Sequence, residues 1–356
     1  MDKKKEIAGI RDGDERDLEQ ILAMRKAVFG EMEEDKLDPR FWKWEFIENP
    51  DGKALIYIIR DEGRVVGHFA DIPRDFSVEG ETLKGTLSVD LMVDPEYRRK
   101  GFFFSMGKYA ARRVAEENRL FMTAYPIRDE TIQGLLKLGW KKVVKLPVLV
   151  YPIRFQGIIA SYLHFRPLSV LLGAFANVLH LLLFRRGKKE GLQTVEIEKV
   201  VQLDGQFEVL CRKASSFHPI IGTRNRGYLT WRYIQHPTRT YTIYRARTGS
   251  EMVGYIVLRK VELLGFNCHV IVDLLALNEG VIPAMIEKGI QHSRQEGTDL
   301  LGFMVPKGHT YYRILRGMGF LPSMKSFQFM IYPIGHAEGL LSPERWYVNW
   351  GDTDVI

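Results

Sequence analysis

Apolar residues along this chain switch between two rhythms, every second position and every third or fourth, which predicts strands alternating with helices. The opening part reads as a strand from Glu6 to Arg11, a helix from Glu15 to Phe29 and a loop rich in aromatic residues, then strands at Ala54 to Arg60, Arg64 to Arg74 and Thr86 to Val93. Met106, Tyr109, Ala110 and Val114 next share one helical face between Phe103 and Asn118. Leu120 to Tyr125 is the following strand, Asp129 to Leu138 the following helix, and Gly139-Trp140 precedes the closing strands. Strands and helices mixed at this spacing predict an α/β fold, a mixed central sheet flanked by helices.

The densest chemistry lies where the Thr86–Val93 strand meets its helix. Pro95 cannot continue a strand ladder, and Arg98-Arg99-Lys100-Gly101 leads straight into helical spacing. The turn therefore sits at a helix N-terminus, where backbone N–H groups have no intrahelical partner and the dipole is positive. With Arg98, Arg99 and Lys100 adding charge, it is suited to hold a pyrophosphate.

The pattern occurs twice. Phe41-Trp42-Lys43-Trp44, continuing to Asn49-Pro50, recurs as Tyr228-Leu229-Thr230-Trp231, continuing to His236-Pro237, at an offset of 187 residues. Asp90 and Asp273, Gly139 and Gly319, and Pro152 and Pro333 keep that order at offsets of 183, 180 and 181. A period this long indicates duplicated domains, since solenoid and propeller units are far shorter. After Asp273 the second copy reads Leu274-Leu275-Ala276-Leu277-Asn278-Glu279-Gly280, with no basic glycine loop, so it is degenerate where the first holds phosphate.

A chain of 356 residues has room for two such domains. The expected division is 1–153 for the phosphate-binding domain, 154–190 for a connector, 191–336 for the degenerate copy and 337–356 for an aromatic and acidic tail. Cys211 and Cys268 are the only cysteines and support neither a disulfide framework nor a cysteine metal site, so no metal is expected. The net charge of +7 is concentrated in the connector, where Arg154, Arg166, Arg185, Arg186, Lys188 and Lys189 face Glu190 alone; no broad nucleic-acid-binding face is expected.

Within that connector Leu168 to Phe184 runs 17 residues without a charge, about 25 Å of helix and at the lower limit for a bilayer crossing. A membrane-surface or partner-binding helix over 157–189, a helix buried between the domains and a true span remain open. The polar start, Met1-Asp2-Lys3-Lys4-Lys5-Glu6, carries no apolar signal segment, so the default location is cytoplasmic, peripheral at the inner membrane face if the connector docks on lipid.

Arg98-Arg99-Lys100-Gly101-Phe102-Phe103 after Val93-Asp94-Pro95-Glu96 resembles the R/Q-x-x-G-x-G/A loop of the GNAT acetyltransferase superfamily, and the order of later elements resembles it too. Phe103 departs from the Gly or Ala usual there. The resemblance implies two GNAT-like domains, with acetyl-CoA or another acyl-CoA held in the first by Arg98, Arg99, Lys100, Gly101, Phe102 and Phe103. It also implies central strands that part to admit the pantetheine arm, and a backbone N–H at Met92 or Val93 that polarises the thioester carbonyl.

Acyl transfer to an amine needs a neutral nucleophile and a route for its proton. Asp90, on a strand face shared with Ser88 and Met92, is a candidate base, with a structural role equally open because Asp273 is its counterpart; His68 is a second candidate. The tyrosine acid frequent in the family is absent, since Leu135 stands at its position; Tyr97, Tyr125, Tyr311 and Tyr312 are possible substitutes. Asp352 and Asp354 in the tail are candidate acceptor ligands, with plain anchoring of the chain end as the alternative. These features imply an N-acetyltransferase acting on a small-molecule or cell-envelope amine. A Fem-type transferase drawing on aminoacyl-tRNA and a non-catalytic acyl-CoA sensor are the rival readings.

Overall fold

The computed structural model describes residues 9–30, 34–156, 195–263, 265–335 and 339–354, with 159, 172–175, 178, 179 and 182 between. The first run of elements is β1 (Ile10–Asp12), α1 (Leu18–Phe29), α2 (Pro39–Phe46), β2 (Leu55–Asp61), β3 (Arg64–Val78), β4 (Glu81–Val93), α3 (Phe102–Glu116), β5 (Phe121–Ala124), α4 (Asp129–Leu138) and β6 (Lys141–Pro152). The second is β7 (Glu196–Val200), α5 (Gly205–Ala214), β8 (Ile220–Gly222), α6 (Arg226–Leu229), β9 (Thr242–Thr248), β10 (Glu251–Leu263), β11 (Phe266–Ala276), α7 (Ile282–Gln295), β12 (Leu300–Met304), α8 (Thr310–Gly317) and β13 (Leu321–Pro333). Apart from β8 it repeats the order of the first, and the short β14 (Trp346–Tyr347) follows.

The fold is mixed α/β, as the periodicity predicts, but the sheet is not divided between two domains. Among the described residues fourteen strands form one sheet whose main path runs β1-β2-β3-β4-β5-β13-β6-β12-β11-β10-β9-β7, with β8 and β14 off it. Each half gives its last strand to the other. β13 lies antiparallel to β5, with Met330 opposite Ala124, and β6 lies antiparallel to β12, with Phe303 opposite Leu149. Strand pairing therefore crosses the boundary expected at 153. The physical gain is that neither β5 nor β12 is left as an open edge.

The packing follows the sheet. The largest buried cluster joins Phe41, Trp44, Phe76 and Phe121 of the first half to Tyr228, Trp231, Phe329 and Trp346 of the second. A separate cluster lies under α3, where Met106, Ala110 and Val114 meet Tyr57, Ile59 and Val66.

Most of the connector expected over 154–190, including the greater part of Leu168 to Phe184, lies outside the described residues, as do 1–8. Among the described residues Leu172, Phe175, Val178, Leu179 and Leu182 are exposed, and no helix is long and apolar enough to cross a membrane.

Candidate functional site

β4 and β5 run parallel and pair only from Gly85 with Phe121 to Leu87 with Thr123. Beyond Leu87, β4 keeps its ladder with β3 but leaves β5, and the strands part. The opening is a cavity of about 340 Å³ walled by Ser88, Val89, Asp90 and Leu91 on one side and Ala124, Tyr125, Pro126, Ile127 and Arg128 on the other. The β3–β4 register shifts between His68 and Ala70, so β4 bulges at Asp90 and Leu91, and Asp90 takes φ of +53°.

At the end of β4 one 3-10 turn (Pro95–Tyr97) intervenes between strand and loop, capped by Asp94, before α3 starts. Gly101 has φ of +86° and Arg99 φ of +63°, so the loop coils tightly into the helix. The first N–H groups bonded there are those of Phe104 and Ser105, both to the Gly101 carbonyl. Among the described residues the N–H groups of Arg99, Lys100, Gly101, Phe102 and Phe103 have no acceptor, and a Cβ built on Gly101 would meet nothing within 4 Å. A cradle of free donors beside open space fits a diphosphate.

The two phenylalanines leave it open. Phe103 lays its ring on α4, where a Cβ on Gly134 would come within 2.7 Å of it, and Phe102 stacks on Tyr97 with centroids 6.0 Å apart. Lys100 Nζ lies 4.2 Å from the Tyr97 ring centroid, and Arg98 Nε donates to the Val93 carbonyl at 3.4 Å. Asp94 donates its N–H to Val66 on β3 at 3.0 Å. By strand alternation the Val93 N–H faces the opening and that of Met92 faces β3.

α1 and the tail complete the wall of the cleft. Asp90 pairs with Arg25 of α1, both side chains largely buried. Burial opposes ionisation of Asp90, but Arg25, then Lys36 and His68, outweigh it and hold the carboxyl below its ordinary range. Lys36 Nζ reaches Asp354 at 3.1 Å, and both line the cleft.

The other sequence candidates lie elsewhere. His68 is fully buried and does not line the cleft; its Nδ1 meets the Asp90 carbonyl at 3.0 Å, and burial pushes its pKa down. It braces the bulge through that contact. Asp352 is buried away from the cleft against Arg224, at 2.7 Å, within a network that includes Asp273 and Asn349. Tyr125 lines the cleft, stacked on Phe329 of the exchanged strand. Tyr97 is outside, donating to Asp61, and Tyr311 is buried in the second half, accepting from the Ala276 N–H. Leu135 lines the cleft at the position where the family's acid would stand.

Arg25, Phe29, Lys36 and Arg128 were missed from sequence. Arg25 alone left a signal: it falls with Ile21, Met24 and Val28 on the apolar stripe of α1, where a charge must have a buried partner.

The second half has a similar opening, since β11 pairs with β12 only through Ile271 and Phe303. There the tail fills it. Tyr347 donates to the Leu274 carbonyl, Asn349 Nδ2 donates to Asp273 at 2.8 Å, and Trp346, Val348 and Trp350 are buried.

Residues 9–143 match the family model of the acetyltransferase (GNAT) domain. This part of the chain is a GNAT acetyltransferase domain. Solved structures extend the likeness in fold across both halves. A GCN5-related N-acetyltransferase from Anabaena variabilis aligns with a TM-score of 0.65 at 14% identity, covering 93% of this chain and 74% of that one. A conserved protein from Enterococcus faecalis, described as a probable N-acyltransferase, gives 0.64 at 12%, covering 92% and 72%. A GCN5-related N-acetyltransferase from Kribbella flavida gives 0.60 at 12%, covering 91% and 70%. No curated protein matches the sequence. In this GNAT domain the strand that parts from its neighbour, β4, is the one that leads into the turn of free N–H groups.

Proposed function

We propose that the GNAT domain, completed by β13 and the tail, is an N-acetyltransferase that moves an acetyl group from acetyl-CoA to a primary amine bound beside Asp90. One observation carries this reading: β4 parts from β5 beyond Leu87 and then leads, past Val93, into the donor-rich turn at Arg99 to Phe103. Acetyl-CoA supplies an activated thioester. The chain's residues do the rest: Arg98, Arg99 and Lys100 add charge at the diphosphate, and the Val93 N–H stabilises the charge that develops on the carbonyl oxygen. Asp90 and Asp354 hold the incoming amine, whose proton leaves to water through the cleft mouth. Leu135 donates no proton, so the departing thiolate takes one from solvent.

The test is a thermal shift followed by kinetics. Acetyl-CoA raises Tm in the native chain and not in Gly101→Glu, whose side chain enters the cradle; free thiol then appears with an amine panel. Equal protection of native and Gly101→Glu protein would remove the site. Protection without thiol release from any amine would favour the sensor, and protection by aminoacyl-tRNA alone the Fem-type reading.

A further inference from the structure

We propose that the acceptor is an amine that also carries a carboxylate on the same short skeleton, its amine taken by Asp90 and Asp354 and its carboxylate by Arg128. This rests on the reading of the cleft as an amine acceptor site. Phe29, the last residue of α1, has two guanidinium groups against its ring, that of Arg25 at 5.3 Å from the centroid and that of Arg128 at 5.7 Å. The first is committed to Asp90. The second stands exposed at the cleft mouth and has no carboxylate partner among the described residues. Two guanidinium groups therefore flank a single aromatic ring, one bound to the Asp90 carboxylate and the other open to a carboxylate from the acceptor.

Charge balance points the same way. Among the described residues that line the cleft Arg25 pairs with Asp90 and Lys36 with Asp354, whereas Arg128 meets no carboxylate. An amine that bears a carboxylate supplies one. A polyamine would instead bring further cations toward Arg25, Lys36 and Arg128, across a wall of Phe69, Tyr125 and Trp140 that offers them no carboxylate.

The experiment uses the full chain, acetyl-CoA and amine pairs differing only in the carboxylate: phenylalanine with phenethylamine, and ornithine with putrescine. The carboxylate-bearing member of each pair is expected to have the higher kcat/KM, and Arg128→Gln to reduce that preference about tenfold, the worth of one hydrogen-bonded charge contact. A loss that falls equally on both members, or that appears in KM for acetyl-CoA, overturns the proposal. If no amine releases thiol, the same pairs are compared as thermal-shift ligands of the coenzyme A complex. Stabilisation by the amino acids alone, lost in Arg128→Gln, then supports the carboxylate site while removing the transferase reading; stabilisation by neither or by both equally overturns it.

Discussion

Trp44 and Trp231 each donate the indole N–H to the other's backbone carbonyl, at 2.9 and 3.0 Å, with their rings stacked 4.4 Å apart. Each residue makes to its counterpart the contact it receives, the relation of a two-fold interface, here within one chain. The exchanged strands obey the same relation, β13 beside β5 and β6 beside β12.

Replacing either tryptophan by phenylalanine keeps most of the stack and leaves one buried carbonyl without its donor, a loss of about 1–3 kcal/mol. Urea unfolding of Trp44→Phe, Trp231→Phe and the double variant should show equal single losses and a double loss different from their sum. Strict additivity would mean the two contacts are energetically independent.

Strand exchange makes the halves interdependent. Expressed alone, residues 1–190 lack β13, so β5 has an open edge and Tyr125 loses Phe329. Neither half should give a cooperative melt by circular dichroism, whereas co-expressed halves should associate and regain one. A folded, monomeric first half would contradict this.

Phe103 occupies the space over Gly134, so Gly134→Ala forces the ring or α4 aside. The expected cost is about 1–3 kcal/mol, as for other overpacked contacts, and it should shrink in a Phe103→Leu background. Displacement of the ring toward the loop should also weaken acetyl-CoA binding, measured by calorimetry.

Asp90→Asn removes the carboxylate from a largely buried pair with Arg25 and should destabilise the fold at neutral pH. The native carboxyl titrates below its ordinary value of 3.8, so the pair stabilises the fold above that pH and is lost as pH falls through the lowered value. The stability gap between native and variant protein should be constant from pH 5 to 7 and should narrow in acid. Kinetically, KM for the amine should rise while Kd for acetyl-CoA holds.

Glu45 behaves oppositely. Burial, with Asp90 and Asp354 adding and Lys36 and Arg25 opposing, pushes it up to about 7 from 4.5. Between those values the folded state binds more protons than the unfolded one, so stability falls as pH rises. Glu45→Gln should therefore gain relative to the native protein between pH 5 and 8, which denaturation at each pH would show.

Several decisive features were legible in the residue order. The basic turn ending at Gly101, the apolar spacing of α3 and the recurrence of Trp44 as Trp231 are local patterns, set by backbone sterics and by the periods of helix and strand. The α/β class followed from them. Asp90 and Asp354 were singled out as well, yet only the fold brings them, 264 residues apart, to one cleft. Four things depended on tertiary packing. These are the exchange of β6 and β13, the pairing of Asp90 with Arg25, the withdrawal of Asp352 to Arg224, and the filling of the second opening by Tyr347 to Trp350. Which strand lies beside β5 depends on which distant edge it can cover, and which cation meets a buried carboxylate depends on what else is excluded from water; neither leaves a mark in local sequence.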